Sequence, residues 1–410
     1  MPKWIWPIAL IGVLLVGGGV FWLVGHNNFE NETSSPTASR KPQSAKTGNE
    51  AVQAGKRLAG KNCTGQGPGK LTRLPMDESD FSMIIPYGLM IGGHVTPIDH
   101  QYFSPTVFNS PRDTYPVYAM ADSKIVEISQ RTNDRGTEYR FVMMMTCTFF
   151  YYFDLVTSLA PEIKTSYDKN RKDQHARLDI DLTAGQLVGR IGGQTLDFAV
   201  WDTTKPLKGF VVPEHYSEPW KLYTADPLDY YTPEIKTKAL AKYLRDVEPI
   251  SGKIDYDIDG KLIGNWFLAG SGGYGSGGGP KGPNDYWAGH LSISPDYLDP
   301  TAIIFSIGAW NGGEPKQWLV APGSVGPATV GVETGVVRYE LSQTDHTLPD
   351  GRPWDRDSIA RGLKAVPARD FGGCVFLQLT ESRKLKLETF PNQKCAEVAG
   401  FTAKAVTYER

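Results

Sequence analysis

The apolar positions of the chain change period twice along its length. From Trp4 to Val24 (WIWPIALIGVLLVGGGVFWLV) 21 residues pass without a charge, close to the ~20 a helix needs to cross a bilayer. Trp4, Trp6 and Trp22 sit near the ends of this run, where amphipathic rings favour the interface, and Pro7 falls in the first turn, where a missing N–H costs little. The run is expected to be an uncleaved transmembrane anchor rather than a signal peptide, because Phe21, Trp22 and Leu23 stand where a cleavage site wants small residues. Lys3 precedes it, so residues 1–26 read as a cytoplasmic end plus anchor, with the bulk of the chain extracytoplasmic. Residues 27–70 are rich in Asn, Ser, Thr, Lys and Gly and hold too little apolar side chain to offset their ordering entropy. They read as a disordered tether, with a short helix open at residues 50–61.

Beyond Leu71 the pattern becomes short alternating runs bounded by Gly, Pro or Asp: SMIIPYG, YPVYAMADSKIVEISQ, TEYRFVMMMTCTFFYYFDLV, RLDIDL, GQLVGRIGG and TLDFAVWD. These predict a β domain over residues 71–230. A helical stripe of Ile235, Leu240, Tyr243 and Leu244, opened by Pro233, predicts a connecting helix within 231–248. Further strands follow in KIDYDIDGKLIGNWF, YWAGHLSIS, AIIFSIGAW, KQWLVAP and GVVRYELS, with a short helix at Asp357–Ala365 and a CVFLQL/KLKLETF hairpin. Residues 249–410 are thus expected to form a second mainly β domain, a barrel or a sandwich. The fold class is mainly β with few short helices.

Composition narrows the function. The 410 residues carry a net charge of −2 with 21% charged and 40% hydrophobic side chains, which gives no support for nucleic-acid binding or bulk disorder. The 44 Gly and 29 Pro agree with many tight turns. Four cysteines, at 63, 147, 374 and 395, lie in no C-x-x-C pair and so form no zinc knuckle. An extracytoplasmic setting permits bridges. Cys374 with Cys395 is the preferred pair, at the open end of the last hairpin; the alternative is four free thiols with Cys147 buried in an apolar strand.

The densest chemistry lies in GLMIGGHVTPIDHQYFSP, where His94, Asp99 and His100 share a turn flanked by Gly and Pro. With the PVYAMADSKIVEI strand after it, YFDL at Tyr152–Leu155, AGQLVGRIGG from Ala184 and TLDFAVWD from Thr195, this segment resembles the lysostaphin-type zinc endopeptidases over residues 86–202. The resemblance implies a β-sandwich, the duplicated hybrid motif, with zinc held by His94, Asp99 and Asp197. Its details depart from the family. His94 and Asp99 are five positions apart where the family has four, Asp197 stands in place of a ligating His, and Asp154 and Thr195 replace the two remaining catalytic His. A carboxylate at 154 would oppose oxyanion stabilisation, and neither residue can donate as an imidazolium. The implied reading is a peptidase-like pseudoenzyme with no catalytic residues. The alternative is a zinc metallopeptidase with a rearranged site, using His100 or His215 as acid or base. Adjacent residues in a strand point to opposite faces, so Asp99 and His100 are not expected to serve one ion.

Other motifs are weaker. DYDIDG at Asp255–Gly260 begins like a calcium loop but has Trp266 at the twelfth position, and a hairpin turn at Asp259-Gly260 fits it better. The Gly-rich run Ser271–Gly282 lacks the phosphate-loop lysine pattern. Trp220, Tyr223, Tyr286 and Trp287 are the candidates for stacking on a glycan or a protein surface, if exposed. The sequence as a whole predicts a membrane-anchored cell-envelope protein that binds a cell-wall polymer, glycan or envelope protein; an adhesive or carbohydrate-binding role for the second domain is a further alternative.

Overall fold

A computed structural model describes residues 48–60, 63–216, 218–274 and 287–410. The Trp4–Val24 segment, Tyr286 and most of the Gly-rich run lie outside the described residues. Among the described residues no helix is long and apolar enough to cross a membrane.

The first unit opens with helix α1 (Gly48–Ala59) and continues through β1 (Phe81–Ile85), β2 (Gln101–Pro105), β3 (Tyr115–Tyr118), β4 (Ser123–Asn133), β5 (Gly136–Thr146), β6 (Phe149–Val156) and β7 (Ser158–Leu159). Helix α2 (Pro161–Asn170), β8 (His175–Leu182), β9 (Leu187–Ile191), β10 (Leu196–Asp202), β11 (Thr224–Ala225) and helix α3 (Pro233–Lys242) complete it. The large sheet runs β1-β2-β10-β6-β5-β4-β8, with β11 on β10, and a small sheet runs β3-β9-β7. They pack face to face over one core in which Val117, Leu159, Val188 and Ile191 of the small sheet meet Phe103, Phe141, Phe153 and Phe198 of the large one.

This arrangement explains the aromatic run FFYYFDLV. Side chains alternate across a strand, so Phe149, Tyr151 and Phe153 fill that core, while Phe150 and Tyr152 face the other side with Val142, Met144, Ala199 and Trp201. Both faces of β6 are covered, and no polar alternation survives in its first five positions. The strand predicted as one run from Thr137 to Val156 folds back at Cys147, between β5 and β6.

The second unit settles the choice between barrel and sandwich. Strands β12 (Gly264–Leu268), β13 (His290–Pro295), β14 (Ile303–Ile307), β15 (Lys316–Val320), β16 (Val337–Thr347), β17 (Lys364–Glu381), β18 (Lys384–Pro391) and β19 (Val406–Glu409) form a closed antiparallel barrel in chain order. Closure comes from Phe267↔Glu409 and Leu268↔Tyr408. Eight strands leave an interior that side chains can fill, and here Trp266, Leu291, Ile293, Phe305, Leu377 and Tyr408 pack together in it. Arg410 lies 3.7 Å over the Trp266 ring and donates to the Ile263 carbonyl at 2.8 Å.

Several expectations change. Residues 48–60 and 63–70 are not a free tether, because α1 docks through Ala54 and Leu58 onto the far face of the large sheet and Cys63 is bridged to Cys147. The seat is close: a Cβ on Gly55 would lie 1.6 Å from the Cys147 carbonyl oxygen. Cys374 pairs with Cys395 as preferred, and among the described cysteines none is free. Helix α3 stops at Lys242, since Tyr243 and Leu244 leave it to run beside β1, where the Leu244 N–H meets the Ile84 carbonyl. Leu240, assigned to its buried stripe, is exposed. No helix forms at 357–365: the Asp355 carboxylate accepts from the amides of Asp357 and Ser358 and holds a bend there. DYDIDG makes the expected turn at Asp259-Gly260, closed by the Lys261 amide on the Ile258 carbonyl at 3.0 Å, but no strands flank it to make a hairpin. Asp255 accepts from the Gly209 amide, and Asp257 accepts from those of Val211 and Asn265, so both carboxylates pin the 209–211 segment to the start of the barrel.

Candidate functional site

The residues named by the lysostaphin-type resemblance gather on the large sheet, on the face turned away from the main core. Asp197 of β10 sits opposite Tyr102 of β2 and Asp154 of β6. His94 comes from the turn before β2, in which Ile91 and His94 bridge each other. That turn is held by the barrel: the Gln317 side chain of β15 accepts from the Gly92 amide at 3.0 Å and donates to the Gly92 carbonyl at 3.1 Å. Trp287 covers it closely enough that a Cβ on Gly93 would lie 3.1 Å from the indole.

His100 is the hub. Its Nδ1 is 3.3 Å from Asp99 Oδ1, and its Nε2 is 3.4 Å from Asp197 Oδ2 and 3.1 Å from the Tyr102 hydroxyl. The rings of His94 and His100 meet edge to face at 5.7 Å. Asp99 and His100 were expected to diverge, but both precede β2 in a bend, where strand alternation does not apply, and their side chains converge. Arg131 of β4 makes the second focus. It donates to Glu138 at 3.0 Å, its cross-strand partner on β5, and to Asp154 at 2.9 Å.

The electrostatics follow from this packing. Burial disfavours charge on His100, yet Asp197 and Asp99 outweigh it and hold the imidazole above its ordinary pKa. Burial opposes ionisation of Asp99 too, but Lys221 and His100 bring its carboxyl well below the usual range. Asp154 is likewise kept ionised against burial by Arg131. Asp197, buried beside Asp154, is pushed up to about 7, with His100 opposing the rise. His94 is pushed down to about 3 by burial and by His100, so it stays neutral.

The zinc implied by the resemblance does not fit these residues. His100 stands between Asp99 and Asp197, two of the three residues that would take the ion, with Nδ1 toward one carboxylate and Nε2 toward the other. Arg131 supplies positive charge at Asp154, one of the positions that departs from the family. Among the described residues no group of three His, Cys, Asp or Glu is placed to hold a metal ion. Thr195 donates to Asp197 at 3.4 Å, and His215 packs its ring against Phe267 of the barrel wall.

No protein-family model matches the chain, and no curated protein matches it. Among solved structures it is similar in part to Csd3 of Helicobacter pylori, at 14% identity and a TM-score of 0.23, over 34% of each chain. It is also similar to a zinc-containing peptidase of Vibrio cholerae, at 17% identity and a TM-score of 0.22, over 34% of this chain and 39% of that one. The chain thus spans little more than a third of either neighbour. Likeness at this level bears on neither activity nor substrate.

The aromatic candidates separate. Tyr223 is 3% exposed and unavailable for stacking on a ligand, because its ring is part of the apolar layer beneath α1 and β10. Trp220 is half-buried and stacks on Trp201 at 6.2 Å. Trp287 is half-buried over the His94 turn. Sequence reasoning missed Arg131, Glu138, Arg140 and Lys221. A charged residue on a strand reads as solvent-facing; for Glu138 and Arg140 the signal against that reading is their place in the run TEYRFVMMM, whereas Arg131 and Lys221 carry no such signal.

Proposed function

We propose that the chain is an extracytoplasmic, membrane-anchored protein of the cell envelope whose peptidase-like unit binds an envelope polymer or envelope protein without cutting it. One observation carries this reading: the positions that would converge on a catalytic metal are already engaged by the protein's own side chains. His100 lies between Asp99 and Asp197, and Arg131 holds Asp154. A water activated there would face no imidazole at position 154 or 195. Two disulfides joining all four cysteines support an oxidising compartment, and the uncharged Trp4–Val24 segment would supply the anchor.

The test is elemental analysis of the purified full-length chain after exposure to zinc and removal of free ion, with incubation against peptide-cross-linked cell-wall fragments. Trace zinc and intact cross-links are expected. About one zinc per chain, lost in His94→Ala and Asp197→Ala together with cleavage of the cross-links, overturns the reading.

A further inference from the structure

We propose that Arg140, cradled by Tyr152, Trp201 and Trp220, is the part of this face that recognises a ligand carboxylate, such as the carboxyl terminus of a peptide. The inference rests on the reading that the unit binds rather than cuts, and it names the chemistry that the binding face takes.

The first observation is a guanidinium that no hydrogen bond or ion pair among the described residues fixes, although Asp154, Glu127 and Asp99 lie near enough to favour its charge. Arg131 is spent on Glu138 and Asp154, Arg177 on Glu127, and the Lys221 ammonium donates to the Pro97 carbonyl at 3.1 Å. The Arg140 side chain, on β5, makes no hydrogen bond or ion pair among the described residues, and its Nε is buried with no partner. A guanidinium carries five N–H donors and no acceptor. A buried donor left without an acceptor is destabilising, and a bound acceptor would remove that cost.

The second observation is the cradle itself. The guanidinium carbon lies 4.7 Å from the Tyr152 ring centroid, 4.9 Å from Trp220 and 5.9 Å from Trp201. These rings pack on one another, Tyr152 to Trp201 at 5.0 Å and Trp201 to Trp220 at 6.2 Å. Stacking against aromatic faces fixes the plane of the fork in advance, so little side-chain freedom is lost when a ligand arrives. The third observation is independent of the arginine. Trp201 is 1% exposed, and its Nε1 has no acceptor. An indole N–H donates only, and a second unpaired donor in the same aromatic cluster asks for the same kind of partner.

A planar, two-oxygen anion matches this site best. Guanidinium and carboxylate pair side by side through two parallel N–H···O bonds in one plane, and such a flat pair extends along aromatic faces where a tetrahedral phosphate would stand away from them. Trp220 and Arg140 are both half-buried, so the outer edge of the cradle is reachable from solvent.

The experiment titrates the unaltered full-length chain with N-acetyl-alanyl-alanine, with its carboxy-terminal amide and with inorganic phosphate, reading tryptophan fluorescence and heat. The free acid is expected to bind, with the amide about tenfold weaker or more, equivalent to the loss of one charge-assisted pair. Arg140→Lys, which keeps the charge and removes the fork, is expected to weaken the acid by about tenfold and leave the amide unchanged. Equal binding of acid and amide, or binding of neither, overturns the inference, as does a preference for phosphate over the acid. If Arg140→Lys does not fold, the acid-to-amide ratio of the unaltered chain decides alone. Failure here with a zinc-free, non-cleaving chain leaves the proposed function standing; zinc binding with cleavage defeats that function whatever the titration gives.

Discussion

Replacing Arg131 by Met tests the idea that an internal cation stands in for a metal. The substitution keeps much of the side-chain volume and removes the donors to Glu138 at 3.0 Å and Asp154 at 2.9 Å. Those carboxylates have side chains only 1% and 14% exposed, so neither can turn to water for compensation. Removing one partner of such a buried pair costs about 3–5 kcal/mol, chiefly because the survivors remain as uncompensated charge. Asp154 also sits across the strand from Asp197, so loss of the guanidinium leaves carboxylates facing one another. In urea, with a slope of about 2 kcal/mol per molar, the midpoint should fall by about 2 M when followed through the fluorescence of buried tryptophans. Adding Glu138→Gln and Asp154→Asn to Arg131→Met should restore at least half of the loss, since amides need no counter-cation. A loss within about 0.5 kcal/mol, the range of an ordinary surface change, would refute the reasoning. So would full rescue of Arg131→Met by zinc, because the freed carboxylates would then be a metal site that the arginine merely blocks.

The two disulfides should differ in worth, since Cys63–Cys147 spans 84 residues and Cys374–Cys395 spans 21. On chain-entropy grounds the double alanine variants should lose about 4–5 and about 3 kcal/mol respectively. Equal losses in urea unfolding would show that loop length does not set the effect. His290, in the barrel wall against Tyr274, is pushed down to about 3 by burial. The folded state therefore binds fewer protons than the unfolded one between pH 3 and 6.5, and this contribution to stability is present above pH 6.5 and is lost as pH falls. Each unit of pH in that window is worth up to about 1.4 kcal/mol. Stability measured at pH 6.5 and 4.5 should fall less steeply in His290→Gln than in the unaltered chain; identical slopes would mean that the imidazole is protonated without penalty.

How far the sequence carried the fold depends on the range of the interaction concerned. Strand runs with period-two alternation were legible, because alternation is local and each run ends on its own Gly, Pro or Asp. The Cys374–Cys395 bridge was legible for the same reason, since its partners close a single hairpin. Cys63–Cys147 was not: nothing in the Asn-, Ser- and Lys-rich stretch before Leu71 signals that Ala54 and Leu58 will find an apolar face more than eighty residues away. The short helix expected at Asp357–Ala365 gives way to an Asx turn, because the Asp355 carboxylate takes the amides of Asp357 and Ser358.

The candidate site shows the same limit in sharper form. Its motif residues, His94, Asp99, Asp154 and Asp197, were legible because they recur in order along the chain, yet their chemistry is decided by residues that no motif contains. Arg131 and Glu138 are neighbours only because β4 and β5 pair in that register, and Arg140 meets Trp220 only because a loop after β10 folds back over the sheet. A motif read alone assigns three metal ligands. Read with its cross-strand partners, the same motif describes a layer in which Arg131 pairs with Glu138 and Asp154 while the Arg140 side chain is left without an ion pair among the described residues. It is therefore at Arg140, rather than at the positions the resemblance marks, that this face has binding capacity left to offer.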